Sequence, residues 1–165
     1  MDDKKLEKRM YCFVPYQLTG IQKGIQALHA VVEYAKLFGR TNEYYDWCDN
    51  WKTVIILDGG TTGDDKEIQY GTLNNIRDIL VELEIPIGWF REPDLNNTLT
   101  AVCFICDEQV FNKKHYPDWE DEVVSIGSST DYERANNFSE WLKLVGGWRI
   151  YMLRDLLSDK RLATN

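Results

Sequence analysis

The sequence predicts an α/β fold: a single three-layer domain with a mixed four-stranded sheet flanked by helices, plus C-terminal helices packed on the core. Three observations predict it. Short β-branched and aromatic runs alternate with longer amphipathic stretches over residues 10–106, in the order strand, helix, strand, helix, strand, strand. The 165 residues suffice for one domain with a real core. Hydrophobic residues make up 44% of the chain and aromatics 13%, so that core forms without help from a metal or disulfide.

Residues 10–14 (Met-Tyr-Cys-Phe-Val) read as the first strand, ended near Pro15. Thr19 is the candidate N-cap of a long helix that runs to about Phe38 and stops at Gly39. Ile21, Ile25, Leu28, Val32 and Ala35 form an apolar stripe along it, and Gly24, Ala27, Ala30 and Val31 a second flank that is small or apolar. Gln22, Gln26, His29 and Glu33 share a sector of about 60°. A helix apolar on two sides with one polar seam suits packing between layers, with the seam opening at an edge or cleft. The plainer reading makes the seam a wet face, since Lys36 and Arg40 continue it.

Residues 40–50 read as a loop and Trp51 to Leu57 as the second strand. The turn Asp58-Gly59-Gly60-Thr61-Thr62-Gly63-Asp64-Asp65 lacks both the Gly-Lys-Ser/Thr ending of a phosphate loop and the GxGxxG spacing. Two acids follow at once, so it reads as a mobile connection. Thr72 is placed to cap a second helix over Leu73 to about Leu83, with Leu73, Ile76, Ile79, Leu80 and Leu83 inward. Residues 87–91 and 99–106 are the third and fourth strands, joined by the turn-rich Glu92-Pro93-Asp94-Leu95-Asn96-Asn97. Residues 107–130 are polar and irregular. Asp131 is placed to cap a third helix, with Gly146-Gly147 as its stop, and Trp148 to Leu157 form a last amphipathic stretch. The expected organisation is an α/β core over 1–106 and a helical extension over 107–165 on the same domain.

The formal charge of -8 repels phosphate backbones and weighs against tight nucleic-acid binding. No apolar run approaches the ~20 residues a membrane helix needs, and the charged N-terminus has no signal-peptide core. Four cysteines in apolar contexts fit a reducing cytosol and read as buried, inert thiols. Cys103 and Cys106 form a CxxC, but residues three apart on a strand point to opposite faces, so no shared metal is expected. No cofactor is implied.

The helix carrying Gln26-x-x-His29-Ala30, following a strand, resembles the first βα unit of the type 2 peptidyl-tRNA hydrolases. Thr98-Leu99-Thr100-Ala101-Val102 resembles their Gly-Thr-x-Thr strand, and the element order agrees across residues 10–106. More narrowly, Gln-x-Gly-Ile-Gln-x-x-His-Ala, Glu-Pro-Asp-Leu-Asn-Asn and the tail ending Leu153-Arg154-Asp155-Leu156-Leu157 resemble members of this superfamily from large tailed phages. The resemblance implies the superfamily's fold, a cytoplasmic setting (host cytoplasm if phage-encoded) and a homodimer. The chain departs from the enzymes' pattern at their polar groups. Gln22 stands where they place a catalytic lysine, with Lys23 one residue off. Their Asp-Ala-Gly-Arg-Thr-Gln segment is replaced by Glu92 to Asn97, which lacks the threonine.

Hydrolysis of a peptide–tRNA ester needs an activated water, an oxyanion donor and a clamp on the RNA 3′ end. His29 is the candidate base, Glu92 its orienting acid, and Gln26 or Asn96 the oxyanion donor. Gln22, Lys23, Asn96 and Thr98 are the candidate substrate-binding residues. Each has a duller reading: His29 bridging to a backbone carbonyl, Glu92 capping a turn, Asn96 chosen for its turn conformation. Losing or displacing a central catalytic group costs about 10²–10⁴ in rate. The expectation is therefore an accessory or binding protein with weak or absent hydrolase activity and a protein partner in the infected host, ahead of a tRNA-directed hydrolase with a rearranged site. Tyr116, Trp119 and Glu120 to Glu122 are the candidate contact surface.

Overall fold

Strand β1 (Lys8–Val14) is an inner strand of a four-stranded sheet, and Met10 to Val14 are all buried. The computed structural model describes residues 5–63, 71–119 and 131–163, and not the side chains of 131–135. Helix α1 (Gly20–Phe38), the short α2 (Asn42–Asp46) and a π-helical turn (Trp47–Trp51) connect β1 to β2 (Thr53–Asp58). Helix α3 (Thr72–Glu82), β3 (Ile87–Glu92), a 3₁₀ turn (Pro93–Leu95) and β4 (Thr98–Asp107) follow. The sheet order is β2-β1-β4-β3. β1 and β2 are parallel, from Arg9 opposite Thr53 to Val14 opposite Asp58; β3 and β4 are antiparallel, so the sheet is mixed as expected.

Both inner strands carry an unbroken apolar run, Met10 to Val14 and Ala101 to Cys106, because both faces of the sheet are covered. Met10, Cys12 and Val14 join Ala101, Cys103 and Ile105 in a core with Ala27, Ala30 and Tyr34 of α1. On the opposite face Tyr11 and Phe13 stack on Phe104, at centroid distances of 6.0 and 6.3 Å. Leu73 of α3 reaches that side, since a Cβ on Gly59 would touch both Leu73 and Phe13.

Several sequence expectations need correction. Residues 40–50 are not a loop: the Thr41 hydroxyl accepts from Tyr44 N and starts α2, and the π turn carries the chain on to a left-handed Lys52. Gly71, not Thr72, is the N-cap of α3, because buried Asn74 accepts the Gly71 N–H and leaves Thr72 in the first turn. The apolar stripe of α1 points outward, with Ile21, Ile25, Leu28 and Val32 all exposed. Cys48 is half-buried, whereas Cys12, Cys103 and Cys106 are buried. A hydrogen bond with Cys103, together with burial, pushes the Cys12 thiol well up, which keeps it protonated and unreactive.

The chain divides into two compact units, and the division is not at residue 106 alone. Glu7–Cys106 form one with the segment from Lys160, because that segment returns to the edge of β2. Asp58 N donates to Arg161 O and Ala163 N to Ile56 O, at 2.9 Å each. The other unit, Asp107–Asp159, holds α4 (Glu108–Phe111), α5 (Asp131–Leu144) and α6 (Trp148–Ser158). Arg154 organises it, 7% exposed, donating to the carbonyls of Gln109 and Tyr116 and to Asp118 at 2.7 Å. Trp119 packs on Phe138 and Trp141, with Tyr151 against both of those rings. Helix α5 stops at Gly146 and Gly147, both at positive φ as the sequence implied. Glu120 to Glu122 of the candidate contact surface and Asp64-Asp65 of the turn lie outside the described residues.

Candidate functional site

Helix α1 lies along edge strand β3, and three contacts between them build the site. A Cβ at Gly88 would fall 2.4 Å from Ala30 O and 2.6 Å from Tyr34 N, so the helix closes on the strand only because residue 88 has no side chain. Two residues on, the Phe90 ring stacks on His29 at 4.3 Å. Two further, Glu92 Oε2 accepts from Gln26 Nε2 at 2.7 Å. As the strand number rises by two the helix number falls by about one turn, the geometry of a helix running against its strand. Of the polar seam, Gln26 and His29 therefore face β3.

Thr100 completes the arrangement. Its hydroxyl donates to Gln26 Oε1 at 2.6 Å, so Gln26 bridges half-buried Glu92 and buried Thr100 in one relay. A bulge makes this possible. Phe90 is opposite Ala101 but Arg91 is opposite Leu99, so Thr100 is the extra residue. Strict alternation would put Thr100 on the α3 face with Phe104; the bulge turns its hydroxyl toward α1. The slack also leaves Leu99 O free to accept from the Thr62 hydroxyl, while Leu99 N donates to Gly63 O at 3.2 Å.

A cavity of about 540 Å³ opens beside this relay. Pro15, Gln17 and Leu18 come from the β1–α1 connection, Thr62 and Gly63 from the loop after β2, and Asp94 to Asn96 with Thr98 from the β3–β4 turn; Thr100 lines it too. Its position follows from topology. α1 and α3 leave the ends of parallel β1 and β2 toward opposite faces, which opens a crevice at the carboxyl ends of those strands. Gln17 and Leu18 also border a second cavity of about 900 Å³, lined by Tyr16, Thr19, Lys23 and Asp58 among others.

Buried Asn74 fixes the far wall of the first cavity, its Oδ1 accepting from Gly63 N at 3.0 Å and Gly71 N at 3.2 Å. On the near side Asn96 and Asn97 sit at φ 51° and 59°, a left-handed pair that Asn tolerates better than most residues. The Thr98 hydroxyl closes the same turn on Leu95 O. Among the described residues, the charged side chain lining the cavity is Asp94, and no basic one lines it.

The structure brings together Gln26 and Glu92, and places Asn96 and Thr98 on the cavity that Thr100 shares. It does not bring His29 to Glu92: His29 is exposed on Phe90, and no hydrogen bond joins it to Glu92. Gln22 is spent on the helix start, its Oε1 accepting from Thr19 N at 3.0 Å in a capping box. Lys23, by contrast, is 6% exposed and on the inward side with Gln26. It is therefore Lys23, not Gln22, that a cavity next to the relay receives. Thr100 was legible only as one letter of Thr-x-Thr; nothing in the sequence marks a bulge. Among the described residues no group of three His, Cys, Asp or Glu side chains could hold a metal ion. No described helix is long and apolar enough to cross a membrane. No protein-family model matches the chain, and no curated protein matches it either.

Proposed function

We propose that this chain is an accessory or binding protein on a type 2 peptidyl-tRNA hydrolase-like fold. In this reading it acts in the cytoplasm on a protein partner, with weak or absent ester hydrolysis. The observation that carries the reading is the bond between Glu92 and Gln26. The acid that would orient a histidine base holds a glutamine instead, and that glutamine's carbonyl is engaged by Thr100. A stacked, exposed His29 with no orienting partner among the described residues is a weak general base. Asp94 on the cavity, with no basic side chain lining it among the described residues, disfavours the phosphate of an RNA 3′ end.

One observation favours the rival, an active peptidyl-tRNA hydrolase with a rearranged site. Lys23 is buried one turn before Gln26 and lines the neighbouring cavity. Incubation with N-blocked aminoacyl-tRNA decides between them. Release of the blocked amino acid indistinguishable from the uncatalysed rate supports the accessory reading. Robust turnover that falls at least tenfold in His29→Ala, Glu92→Gln or Lys23→Met overturns it and assigns the roles.

A further inference from the structure

Three threonine hydroxyls on the cavity beside the relay each donate their one proton to an acceptor within the protein. Thr62 donates to Leu99 O, Thr98 to Leu95 O at 2.5 Å and Thr100 to Gln26 Oε1 at 2.6 Å. A hydroxyl has one proton and two lone pairs, so each of the three meets a ligand as an acceptor. Thr100 is the firmest case. It is 1% exposed, and Gln26 donates onward to Glu92, so the whole relay points its protons away from the cavity.

The charge on the lining has the same sense. Asp94 stands exposed on the β3–β4 turn, with no hydrogen bond or ion pair among the described residues. Arg91 belongs to the same turn, but it donates to Asn97 O at 3.1 Å and does not line the cavity. The amides of Gln17 and Asn96 can donate or accept, so they favour neither kind of ligand. Pro15, Leu18 and Leu95 add hydrocarbon beside these polar groups. A carboxylate and fixed acceptors bordered by apolar surface suit a cation on an aliphatic stem.

We infer that this cavity receives the side chain of an arginine carried by the protein partner. A guanidinium has five N–H donors and no acceptor, and its planar fork matches a carboxylate such as Asp94. Its methylenes pack on Leu18, Leu95 and Pro15. A lysine ammonium has three donors and is more strongly hydrated, so it binds less well. A phosphate or carboxylate brings only acceptors and a charge of the wrong sign. The cavity's 540 Å³ is ample for one such side chain. Because Asp94 is exposed, its charge is screened, and a single arginine binds weakly, at about 1 mM. The assignment names a group that the accessory reading leaves open, and rests on that reading for the protein source of the arginine.

Two-dimensional NMR of the isotope-labelled intact chain, titrated with Nα-acetyl-arginine amide, tests the site. Shifts should saturate and centre on Gly63, Asn96 and Thr98. A chain of charge -8 attracts any cation, so two comparisons isolate the cavity. The neutral isostere Nα-acetyl-citrulline amide should bind at least about tenfold more weakly. Asp94→Asn, with unchanged circular dichroism, should weaken arginine binding by a similar factor. A blocked Gly-Arg-Gly peptide should bind at least as well as agmatine, which carries the same group as a free small molecule. Agmatine bound and the peptide refused overturns the protein source. Equal binding of the arginine and citrulline probes, full affinity in Asp94→Asn, or shifts that spread over the surface without saturating overturn the site itself. The tRNA assay separates these failures from failure of the accessory reading. A chain with neither hydrolysis nor arginine preference keeps that reading and loses only the cation site; turnover on N-blocked aminoacyl-tRNA removes the reading and with it the protein source.

Discussion

Gly88 and Thr100 show how much of this site rests on single residues whose role is purely geometric. Gly88 has no unusual backbone conformation to explain it; the reason is the backbone of α1 at 2.4 Å from where its Cβ would stand. Neither Ala30 O nor Tyr34 N can step aside without moving the helix. Gly88→Ala is expected to cost about 1–3 kcal/mol in urea unfolding, as overpacking does, and to separate Gln26 from Glu92. Unchanged stability would mean that α1 shifts on the strand at no cost. Thr100 is the converse case, an ordinary β-strand residue given a special direction. Alternation reads it as facing α3, and only one unpaired position in the β3–β4 ladder sends it to Gln26. The residue types of the relay were legible, because Gln26 and Glu92 were singled out from the sequence. Their partnership was not, since they are 66 positions apart.

At the level of elements, helix α1 was the best-marked piece of the chain and also the one most easily misjudged. Its cap, length and stop agree with the sequence, from Thr19 to Gly39. Two apolar sides were also visible in it. Which side meets the sheet was decided by fit: small Ala27 and Ala30 allow the approach, while Ile25 and Leu28 would hold the helix away. The α2 and π-turn segment was missed because its five-residue pieces are too short for any periodicity to show. Helix α3 carries the prediction for this scale. Asn74, 2% exposed, accepts backbone N–H groups from both Gly63 and Gly71 and so ties the loop after β2 to the helix start. Asn74→Ala should leave two buried donors unpaired and cost about 1–3 kcal/mol. Amide hydrogen exchange at residues 61–63 should accelerate well beyond that of β1. Unaltered exchange there would show that the loop is held by other bonds.

The molecule as a whole is two units, and the acid response of the helical one can be derived from its centre. Burial alone would raise the Asp118 carboxyl, but hydrogen bonds and charge from Lys113 and Arg154 outweigh it and hold the group below its ordinary value. A carboxyl depressed in the folded state contributes stability above its unfolded pKa of about 3.9, and loses it as pH falls through the lower folded value. Asp118→Asn should therefore lower stability at neutral pH, where it removes the carboxylate charge that pairs with buried Arg154. It should also flatten the loss below pH ~4, read by the fluorescence of Trp119 and Trp141. An acid limb as steep as in the parent chain would assign it to other carboxylates.

The sequence by itself determined the α/β class, the order of the four strands and of α1 and α3 over residues 10–106, the cap and stop of α1 and the double-glycine end of α5. These are local matters of side-chain period, capping chemistry and backbone freedom. Only the tertiary structure decided that Glu92 meets Gln26 rather than His29, that Lys23 rather than Gln22 faces inward, and that a branched aliphatic stripe is left outside. Those outcomes depend on how closely a helix can approach an edge strand and on where a ladder slips by one residue. Neither quantity is carried by the pattern of any single segment.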